Sequence, residues 1–572
     1  MVPPLIQARA ADPARVAAFI RQGTHPLMAR LWAARGLDDP ATAAAGWGAM
    51  IPPDRLTHAR HAAELLADAI ARNDRLLIVA DYDCDGATAC AVALRGLRAM
   101  GACVDFLVPN RFETGYGLSP AVVELACAHP GGKPDLLVTV DNGIASLEGV
   151  AAARAAGMAV IVTDHHLPGE ALPDALAIVN PNQPGCGFPS KDLAGVGVMF
   201  YLLLALRAVL RERGVLAANA GPRLEQLADL LALGTVADVV RLDANNRLLV
   251  AQGLKRIREG RMQAGVRALF AVSGREARKA GAQDLGFFLG PRINAAGRLA
   301  DMSLGIRCLL EDDEGRAMEL ARELDAMNSR RRDLESTMRE QALASIDAGA
   351  QARAASVCVY QQDWHQGVIG LVASRLKETY GRPALAFAPA DEGELRGSGR
   401  SIPEVHLRDV LDLVSKRLPE AILKFGGHAM AAGLTLRAGA YPDFVEHFDQ
   451  AVRRLSGRET FEPRIDTDGS LESGYLNAEV AAMLQAQVWG SGFPAPVFHD
   501  TFRVVHQRLL KDRHLKLYLE RGAQRIDAIW FNHDAPLPEH IEAVYRLERN
   551  EWGGRAEAQL LIEHARGAGR TD

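Results

Sequence analysis

The sequence predicts a multidomain α/β protein with a parallel-sheet domain, a long connecting helix, a second α/β domain and a C-terminal β-barrel domain. Three features of the 572 residues predict this fold class. Short β-branched runs alternate with helical stretches between residues 70 and 180, and residues 311–346 form one long, charged helical pattern. The last hundred residues alternate polar and apolar side chains between turn signals, which is typical of small antiparallel β domains of the barrel type.

Composition supports a globular chain. Apolar residues make up 48% of the sequence and charged residues 24%. Seven cysteines without a CxxC pair argue against a zinc knuckle or a disulfide framework, and they fit a reducing, cytoplasmic location. The N-terminus has no signal-peptide pattern and no run of about 18 apolar residues occurs, so we expect neither secretion nor a membrane span. The formal net charge is −5, so a nucleic-acid partner would need a local basic surface.

The first α/β domain is predicted from "RLLIVA", "VDFLVP", "DLLVTV" and "AVIVT", which are strand-like and are separated by alanine-rich helical stretches. Repeated βα units build parallel sheets, and ligands gather at the carboxyl ends of their strands. We expect an N-terminal segment at 1–50, this domain at 51–310, the connecting helix at 311–346, the second α/β domain at 347–456 and the barrel domain at 460–572.

The stretch "DYDCDG" places three aspartates directly after a strand-like run. If the backbone stayed extended, Asp81, Asp83 and Asp85 would point to one side, and their charges would repel unless a cation neutralised them. The alternative is an acidic turn that caps the next helix, with Gly86 allowing a tight turn.

Other strand ends favour the metal interpretation. Asp141 follows "LLVTV", while Asp164, His165 and His166 follow "AVIVT". Carboxylates and imidazoles from three strand ends form a site suited to Mn²⁺ or Mg²⁺. Asp238, in "LGTVADVV", lies in an apolar helical run where an unpaired carboxylate would be costly to bury, although a helix-end role is the alternative. Two such ions about 4 Å apart could support a phosphoryl transfer.

Four further motifs combine glycine with arginine or histidine: "PNRFETGYG" (109–117), "GPRINAAGRL" (290–299), "RGSGRS" (396–401) and "FGGHAMAAG" (425–433). Glycines let backbone N–H groups approach an anion, and the arginine fork matches phosphate oxygens. Each motif alone could be an ordinary turn; together they predict a phosphate-binding wall that faces the metals.

The barrel domain carries a local basic surface between residues 503 and 525. Its seven cationic residues exceed Asp512 and Glu520 by five; they are Arg503, Arg508, Lys511, Arg513, Lys516, Arg521 and Arg525. With Phe502, Tyr518 and Trp530 nearby, this surface suits a single strand whose bases stack on aromatic rings. The alternative is a solvated β face with its aromatic residues in the core.

The motifs "DYDCDGATA", "VTVDNGI", "TDHH" and "GTVADVV", in this order, resemble the DHH phosphoesterase superfamily. From about residue 50 to the end, "VPNRFETGYGLSP", "LDANNR", "WHQGVIGLVASR" and "KFGGHAMAAG" are similar to its RecJ-type single-strand exonuclease family. The resemblance implies a DHH domain, a connecting helix, a DHHA1 domain and an OB-fold domain. It also implies an exonuclease that degrades single-stranded DNA from 5′ to 3′ to 5′-mononucleotides in DNA repair and recombination.

By the same resemblance, a pair of Mn²⁺ or Mg²⁺ ions would be held by Asp83, Asp85, Asp141, His165 and Asp238. Asp83 and Asp141 would hold one ion, and the other residues would join Asp141 at the second. Asp81 would complete the shell of the first ion, Asp164 would orient a histidine, and His166 would contact the scissile phosphate or the attacking water. The positions matched to phosphate binding are Arg111, Arg292, Arg298, Ser398, Arg400 and His428.

The resemblance further implies a monomer that works with single-strand-binding protein and a RecQ-type helicase. Two other functions are alternatives: a DHH hydrolase of small phosphoesters, such as a nanoRNase or cyclic-dinucleotide phosphodiesterase, and a non-catalytic DNA-binding scaffold of the replication machinery. The basic β domain beyond residue 460 argues against the first. The intact acidic and histidine positions argue against the second.

Overall fold

The computed structural model describes residues 4–44, 46–110, 114–217, 221–347, 354–552 and 555–568. They form two compact units. The larger unit comprises Arg9–Ala326 and Thr467–Asp572, and the smaller unit comprises Met1–Ala8 and Met327–Asp466. None of the described helices is long and apolar enough to cross a membrane.

The strands are β1 (Leu5–Ala8), β2 (Arg75–Ala80), β3 (Cys103–Leu107), β4 (Leu136–Val140), β5 (Ala159–Thr163), β6 (Ala177–Val179), β7 (Val357–Tyr360), β8 (Ala384–Pro389), β9 (Glu394–Arg400), β10 (Ile422–Gly427), β11 (Ala431–Arg437), β12 (Arg464–Thr467), β13 (Phe498–Leu510), β14 (His514–Arg521), β15 (Gln524–Trp530), β16 (His540–Trp552) and β17 (Arg555–Gly567). The helices are α1 (Pro13–Arg21), α2 (Pro26–Ala34), α3 (Ala59–Arg72), α4 (Cys84–Ala99), α5 (Pro120–Cys127), α6 (Leu147–Ala155), α7 (Gly195–Glu212), α8 (Ala228–Ala237), α9 (Ala244–Arg258), α10 (Ala264–Ser273), α11 (Ala282–Asp284), α12 (Gly290–Leu299), α13 (Ser303–Leu310), α14 (Glu314–Asp347), α15 (Ile369–Tyr380), α16 (Leu407–Arg417), α17 (Tyr441–Ser456) and α18 (Ala478–Gln485).

A five-stranded parallel sheet, in the order β3-β2-β4-β5-β6, organises the N-terminal part of the larger unit. Strands β2, β4, β5 and β6 are almost entirely buried, which explains why they read as continuous apolar runs rather than as alternating ones, whereas the edge strand β3 is partly exposed. The ladder continues one residue past three strands: the N–H groups of Asp81, Asp141 and Asp164 donate to carbonyls at the ends of the neighbouring strands. The three aspartates therefore occupy equivalent positions along one edge of the sheet, as the sequence predicts.

The C-terminal barrel is closed, in the order β13-β14-β15-β17-β16. The predicted antiparallel arrangement is wrong for one pair, because β15 and β17 are parallel. Alternation along a strand fixes which side chains face inward and carries no information on the direction of the neighbouring strand. The barrel core extends to α2, whose Leu27, Met28 and Leu31 pack with it.

The smaller unit contains a second sheet, in the order β10-β11-β9-β8-β7, in which only the β7–β8 pair is parallel. Helices α16 and α17 cover a core that includes Phe387, Phe444 and Phe448. The long helix predicted over 311–346 is confirmed as α14, which begins in the larger unit and continues into the smaller one.

Candidate metal centre

The carboxyl-end edge of the parallel sheet carries a cluster of acidic and histidine side chains. Their ligand atoms form three groups, in each of which all atoms lie within 4.8 Å of one another. The groups are Asp81, Asp83 and Asp141; Asp85, His165 and Asp238; and Asp141, His165 and His166. The structure thus brings together all the residues that the sequence assigns to the metals, and Asp141 belongs to two of the groups.

The "DYDCDG" turn leaves the extended conformation sooner than the sequence argument assumed. Helix α4 already begins at Cys84, so Asp85 lies in its first turn, and the premise of three aspartates on one side of an extended strand is wrong. The helix-cap alternative holds for Asp83, whose Oδ1 accepts the Gly86 N–H at 3.0 Å. A Cβ on Gly86 would lie 2.5 Å from the Asp81 carbonyl oxygen, so this glycine permits a close approach.

Two other helices hold this turn in place. Asn294 of α12 accepts the Cys84 N–H at 2.8 Å. Asp85 accepts the N–H groups of Gly195 at 2.6 Å and Val196 at 2.9 Å, at the beginning of α7, where helix amides favour a negative charge. The role of Asn294 was not predicted, although this residue lies in the motif "GPRINAAGRL", because an argument from phosphate binding selects only the arginines of that motif.

The donor atoms of the cluster fit divalent cations. Asp141 Oδ1 and His165 Nε2 lie 3.1 Å apart, are buried, and have no hydrogen-bond partner within the part of the chain that the structure describes. A buried polar atom left in this way costs roughly 1–3 kcal/mol, so a bound ligand at this point would relieve it. A carboxylate-rich set with one or two imidazoles suits hard and borderline cations such as Mg²⁺ and Mn²⁺.

The electrostatics of the cluster also favour a cation. Burial, followed by repulsion from neighbouring carboxylates, raises the pKa of Asp85 and of Asp238 to about 7 each. Burial, then the charge of Asp85, raises the pKa of Asp141 well above its ordinary value. Burial and the nearby charge of His166 lower the pKa of His165, which keeps this imidazole neutral and able to act as a ligand.

Asp164 holds His166, the second of the two histidines that follow it. Its Oδ1 accepts the His166 Nδ1–H at 2.7 Å, and its Oδ2 accepts the Ile144 N–H at 2.8 Å. Burial disfavours the charged imidazole, but the hydrogen bond and the charge of Asp164 outweigh it and raise the pKa of His166 to about 9. The same contact outweighs burial at Asp164 and lowers the pKa of that carboxyl. The two residues therefore form an ion pair.

Three residues that the sequence analysis did not single out support the histidines. Asn180 donates from Nδ2 to the His166 carbonyl oxygen at 3.0 Å, and Asn182 donates to that of His165 at 2.6 Å. The Tyr116 ring lies edge-on to the His166 ring at 5.9 Å between centroids. Asn180 and Asn182 follow the short apolar run "AIV", and polar residues at this fourth strand end could have indicated these two positions.

Two residues of the cluster region have left-handed backbone conformations. Asp141 has a φ of 63°, which aspartate tolerates better than most residues. Val239, directly after Asp238, has a φ of 68°. For a β-branched residue this conformation is a clear outlier, and it costs roughly 1–3 kcal/mol.

The candidate phosphate-binding residues fall in both units. In the smaller unit, Arg400 donates to Ser398 Oγ at 3.3 Å, and Gly370 at the start of α15 lies beside both side chains. Burial lowers the pKa of Arg400. His428 directly follows β10, and its N–H donates to the Ala431 carbonyl oxygen, opposite Arg400 in the register of the sheet.

In the larger unit, Arg292 is buried and pairs with Asp325 at 2.8 Å, so its charge is already neutralised within the protein. Arg298 is half-buried near the end of α12. Arg111, the remaining candidate, lies outside the described residues.

The basic surface of the barrel is smaller than the sequence count indicates. Four of its seven cations have acidic partners: Arg503 and Arg525 pair with Glu520, Lys516 with Asp527, and Arg521 with Asp500. Within the described chain, no acidic partner is found for the exposed Arg508, Lys511 and Arg513.

Of the aromatic candidates on the barrel, Phe502 is buried in the core, so its expected role in base stacking is wrong. Tyr518 is exposed and Trp530 is half-buried. Inward and outward faces of a barrel strand alternate by one residue, and the composition of the stretch did not reveal which face Phe502 occupies.

Comparisons with known protein families define the class of protein to which this chain belongs. Residues 75–235 match the DHH family, N-terminal domain; residues 353–454 match the DHHA1 domain; and residues 467–564 match the RecJ OB domain. The chain is therefore a DHH-family protein in which a DHHA1 domain and an OB domain follow the metal-centre domain.

Two relatives named "Single-stranded-DNA-specific exonuclease RecJ", from Salmonella typhimurium and Escherichia coli, are each 46% identical over 94% of this chain and 95% of their own length. The crystal structure of RecJ in complex with Mn²⁺ from Thermus thermophilus covers 99% of this chain and 80% of that one, with a TM-score of 0.81 and 29% identity. Its Mg²⁺ complex has a TM-score of 0.76 at the same identity, over 99% of this chain and 79% of that chain. The chain belongs to the RecJ family of single-stranded-DNA-specific exonucleases.

Proposed function

We propose that this protein is a metal-dependent exodeoxyribonuclease that hydrolyses single-stranded DNA from 5′ to 3′ to 5′-mononucleotides, in DNA repair and recombination. The observation that carries the proposal is the double donor set at the sheet edge, in which Asp141 Oδ1 and His165 Nε2 are buried without hydrogen-bond partners. A non-catalytic scaffold would have no need to keep so costly a cluster of carboxylates buried.

In this proposal, Asp81, Asp83 and Asp141 hold one Mn²⁺ or Mg²⁺ ion, and Asp85, Asp141, His165 and Asp238 hold the other. Bound divalent ions supply a nucleophilic water at neutral pH and neutralise charge that develops on the phosphate oxygens.

The remaining chemistry belongs to the side chains around the donors. Asp164 keeps His166 protonated, and because Nδ1 is bound to Asp164, the Nε2–H is the group that donates to a phosphate oxygen or to the departing oxygen. Arg298, Ser398, Arg400 and His428, with Arg111, are proposed to bind the phosphates of the substrate. Arg292 would act there only after its ion pair with Asp325 is released.

Digestion of 5′-labelled and 3′-labelled single strands with Mn²⁺ or Mg²⁺ tests the activity, with duplex and dinucleotide substrates alongside. We expect mononucleotide release from the 5′ end of single strands and little attack on duplex. Asp141→Ala should abolish release without unfolding the protein, because it removes the ligand that is proposed to be shared by the two metal ions. Activity in the pure folded variant would overturn the metal assignment, and preferential dinucleotide hydrolysis would favour a small-phosphoester hydrolase.

The barrel is proposed to bind the strand through Arg508, Lys511 and Arg513. Replacing all three by alanine should weaken binding to long single strands. It should also make the affinity less dependent on salt, reducing the slope of log affinity against log salt concentration by about 2. The matched control replaces Arg503 and Arg525, whose charges Glu520 already neutralises. Equal losses in both variants would refute this assignment.

Two finer elements complete the proposal. One, which follows from the sequence pattern, is the division into an N-terminal segment at 1–50 and further parts at 51–310, 311–346, 347–456 and 460–572. The other, which the family resemblance implies, is cooperation with single-strand-binding protein and a RecQ-type helicase. With these two partners, the enzyme would degrade a blunt duplex that it does not degrade on its own. Failure of the three proteins together to degrade that duplex would refute the cooperation.

A further inference from the structure

Residues 239–242, here called the connection, run from the candidate metal ligand Asp238 to a contact with the segment that precedes the barrel. Asp238 caps the carboxyl end of α8, and only three residues follow before Leu242, whose N–H donates to the Ser491 carbonyl oxygen at 2.8 Å. Residues 489–494, here called the docking loop, lie between α18 and the first barrel strand. The docking loop thus contacts the chain almost directly after a candidate metal ligand.

Glycines bring the docking loop unusually close to this connection. A Cβ on Gly490 would lie 2.5 Å from Leu242 Cδ1, and a Cβ on Gly492, which has a φ of 67°, would lie 2.2 Å from Arg241 Cγ. Gly490 and Phe493 exchange two backbone hydrogen bonds, of 2.9 and 3.0 Å, which close the loop on itself. Larger residues at these glycine positions would push the two segments apart.

Stacked rings and cations hold the docking loop from both sides. The Arg247 guanidinium lies 4.2 Å from the Phe493 ring centroid and also donates to the Leu242 carbonyl oxygen at 2.9 Å. Phe493 stacks on Trp489 with centroids 5.4 Å apart, and Arg35 lies over Trp489 at 5.1 Å. Cations are attracted to the faces of aromatic rings, so these contacts hold the docking loop in place within the larger unit.

Val239 shows that the connection is under strain. It has a left-handed backbone, and the residue is 67% exposed, so little burial offsets the unfavourable conformation. A strained residue keeps its conformation only when the structure on both sides imposes it. On one side lies α8, where the Asp238 N–H donates to the Gly234 carbonyl oxygen at 2.9 Å. On the other side lie the docking loop and Asn246 of α9, whose Nδ2 donates to the Arg241 carbonyl oxygen at 2.9 Å.

We propose that the docking loop is a positioning element for Asp238. By fixing residues 241 and 242, it keeps Val239 left-handed and holds the Asp238 carboxylate beside His165, from which its Oδ2 is 3.7 Å distant. This inference rests on the proposed function, in which Asp238 is a metal ligand. It makes the contact between the docking loop and residues 241 and 242 a condition for tight metal binding.

The test compares two glycine-to-alanine variants. Gly492→Ala presses on Arg241, whereas Gly522→Ala, in the β14–β15 hairpin, has a similar φ of 59° and open space around the added Cβ. Both variants introduce the same strained alanine, and they differ only in the contact with the connection. Mn²⁺ binding is measured by calorimetry without DNA, and kcat and KM are measured on a long single strand.

We expect Gly492→Ala to bind Mn²⁺ roughly 10-fold more weakly and to lose kcat in proportion, because shifts in groups that orient ligands cost this much. Its KM for DNA should stay within about twofold, and Gly522→Ala should match the wild-type protein in Mn²⁺ affinity and kcat. Adding Val239→Gly to Gly492→Ala should restore most of the Mn²⁺ affinity, since glycine adopts the left-handed conformation without strain.

Unchanged Mn²⁺ binding in folded Gly492→Ala, an equal loss in Gly522→Ala, or no recovery in the double variant would overturn the positioning role. If Gly492→Ala does not fold, Phe493→Leu, which removes the Arg247 stack, serves instead and should shift Mn²⁺ affinity in the same direction. A wild-type protein that binds no Mn²⁺ would refute the proposed function itself, and the two failures are therefore distinguishable.

Discussion

Gly195→Ala is expected to impair catalysis through steric pressure on Asp141. A Cβ at Gly195 would lie 2.5 Å from Asp141 Oδ1 and 2.7 Å from its Cβ and Cγ, whereas ordinary contacts begin near 3.4 Å. The shortfall of 0.7 to 0.9 Å cannot be relieved by rotating the carboxylate, because the Asp141 Cβ is among the atoms in contact. The backbone must move, and Gly195 also donates its N–H to Asp85.

A displacement approaching 1 Å at a catalytic group costs on the order of 100-fold in rate, so kcat should fall by about that factor. Nucleotide release from a labelled single strand measures it, and a thermal melt confirms the fold. Gly187→Ala is the control, because this exposed glycine has nothing within 4 Å of an added Cβ and no left-handed backbone. If Gly195→Ala is folded and its kcat lies within threefold of the wild-type value, close packing around Asp141 is not needed for activity.

Three other predictions concern stability. Mn²⁺ at 100 times its dissociation constant should stabilise the wild-type protein by about 2.7 kcal/mol in a thermal melt, and an equal shift in Asp141→Ala would contradict the metal assignment. Burial raises the pKa of Asp229 from 3.8 to about 6, so its carboxylate costs stability increasingly as pH rises from about 4 through 6. Asp229→Asn should therefore gain stability over the wild-type protein across that window, up to about 3 kcal/mol at pH 8, and a gain independent of pH in urea unfolding would refute this. Arg35→Ala should cost up to about 3–5 kcal/mol by the same urea measurement, because it removes the nearest cation from the fully buried Asp468 and leaves Arg9, at 3.4 Å, as the remaining ion-pair partner among the described residues; a loss below about 1 kcal/mol would contradict a stabilising Arg35–Asp468 pair.

Much of the metal centre can be predicted from the sequence because parallel strands end at one edge of their sheet. Asp81, Asp141 and Asp164 each follow an apolar run directly, and the structure gives them equivalent hydrogen bonds at the strand ends. Period and composition are local properties, so they also predict α14 and the existence of the barrel.

Other features depend on partners that are distant along the chain. Asp85 is bound by the first amides of α7, more than a hundred residues away, and Arg292 is neutralised by Asp325 of α14. Neither partner follows from a local pattern. The phosphate role expected of Arg292 follows from its motif and from the family resemblance, and neither contains a sign of the carboxylate that pairs with it.

Neighbouring residues alone encode the strands of the parallel sheet, the acidic and histidine residues at their ends, and the order of the domains. Which carboxylates share a group, the capping of α4 by Asp83 and the inward direction of Phe502 follow from the folded chain and from no local pattern. The parallel direction of one barrel pair has the same origin. The physical reason is that packing between distant segments, rather than local conformational preference, sets the distances between side chains and the face that each one buries.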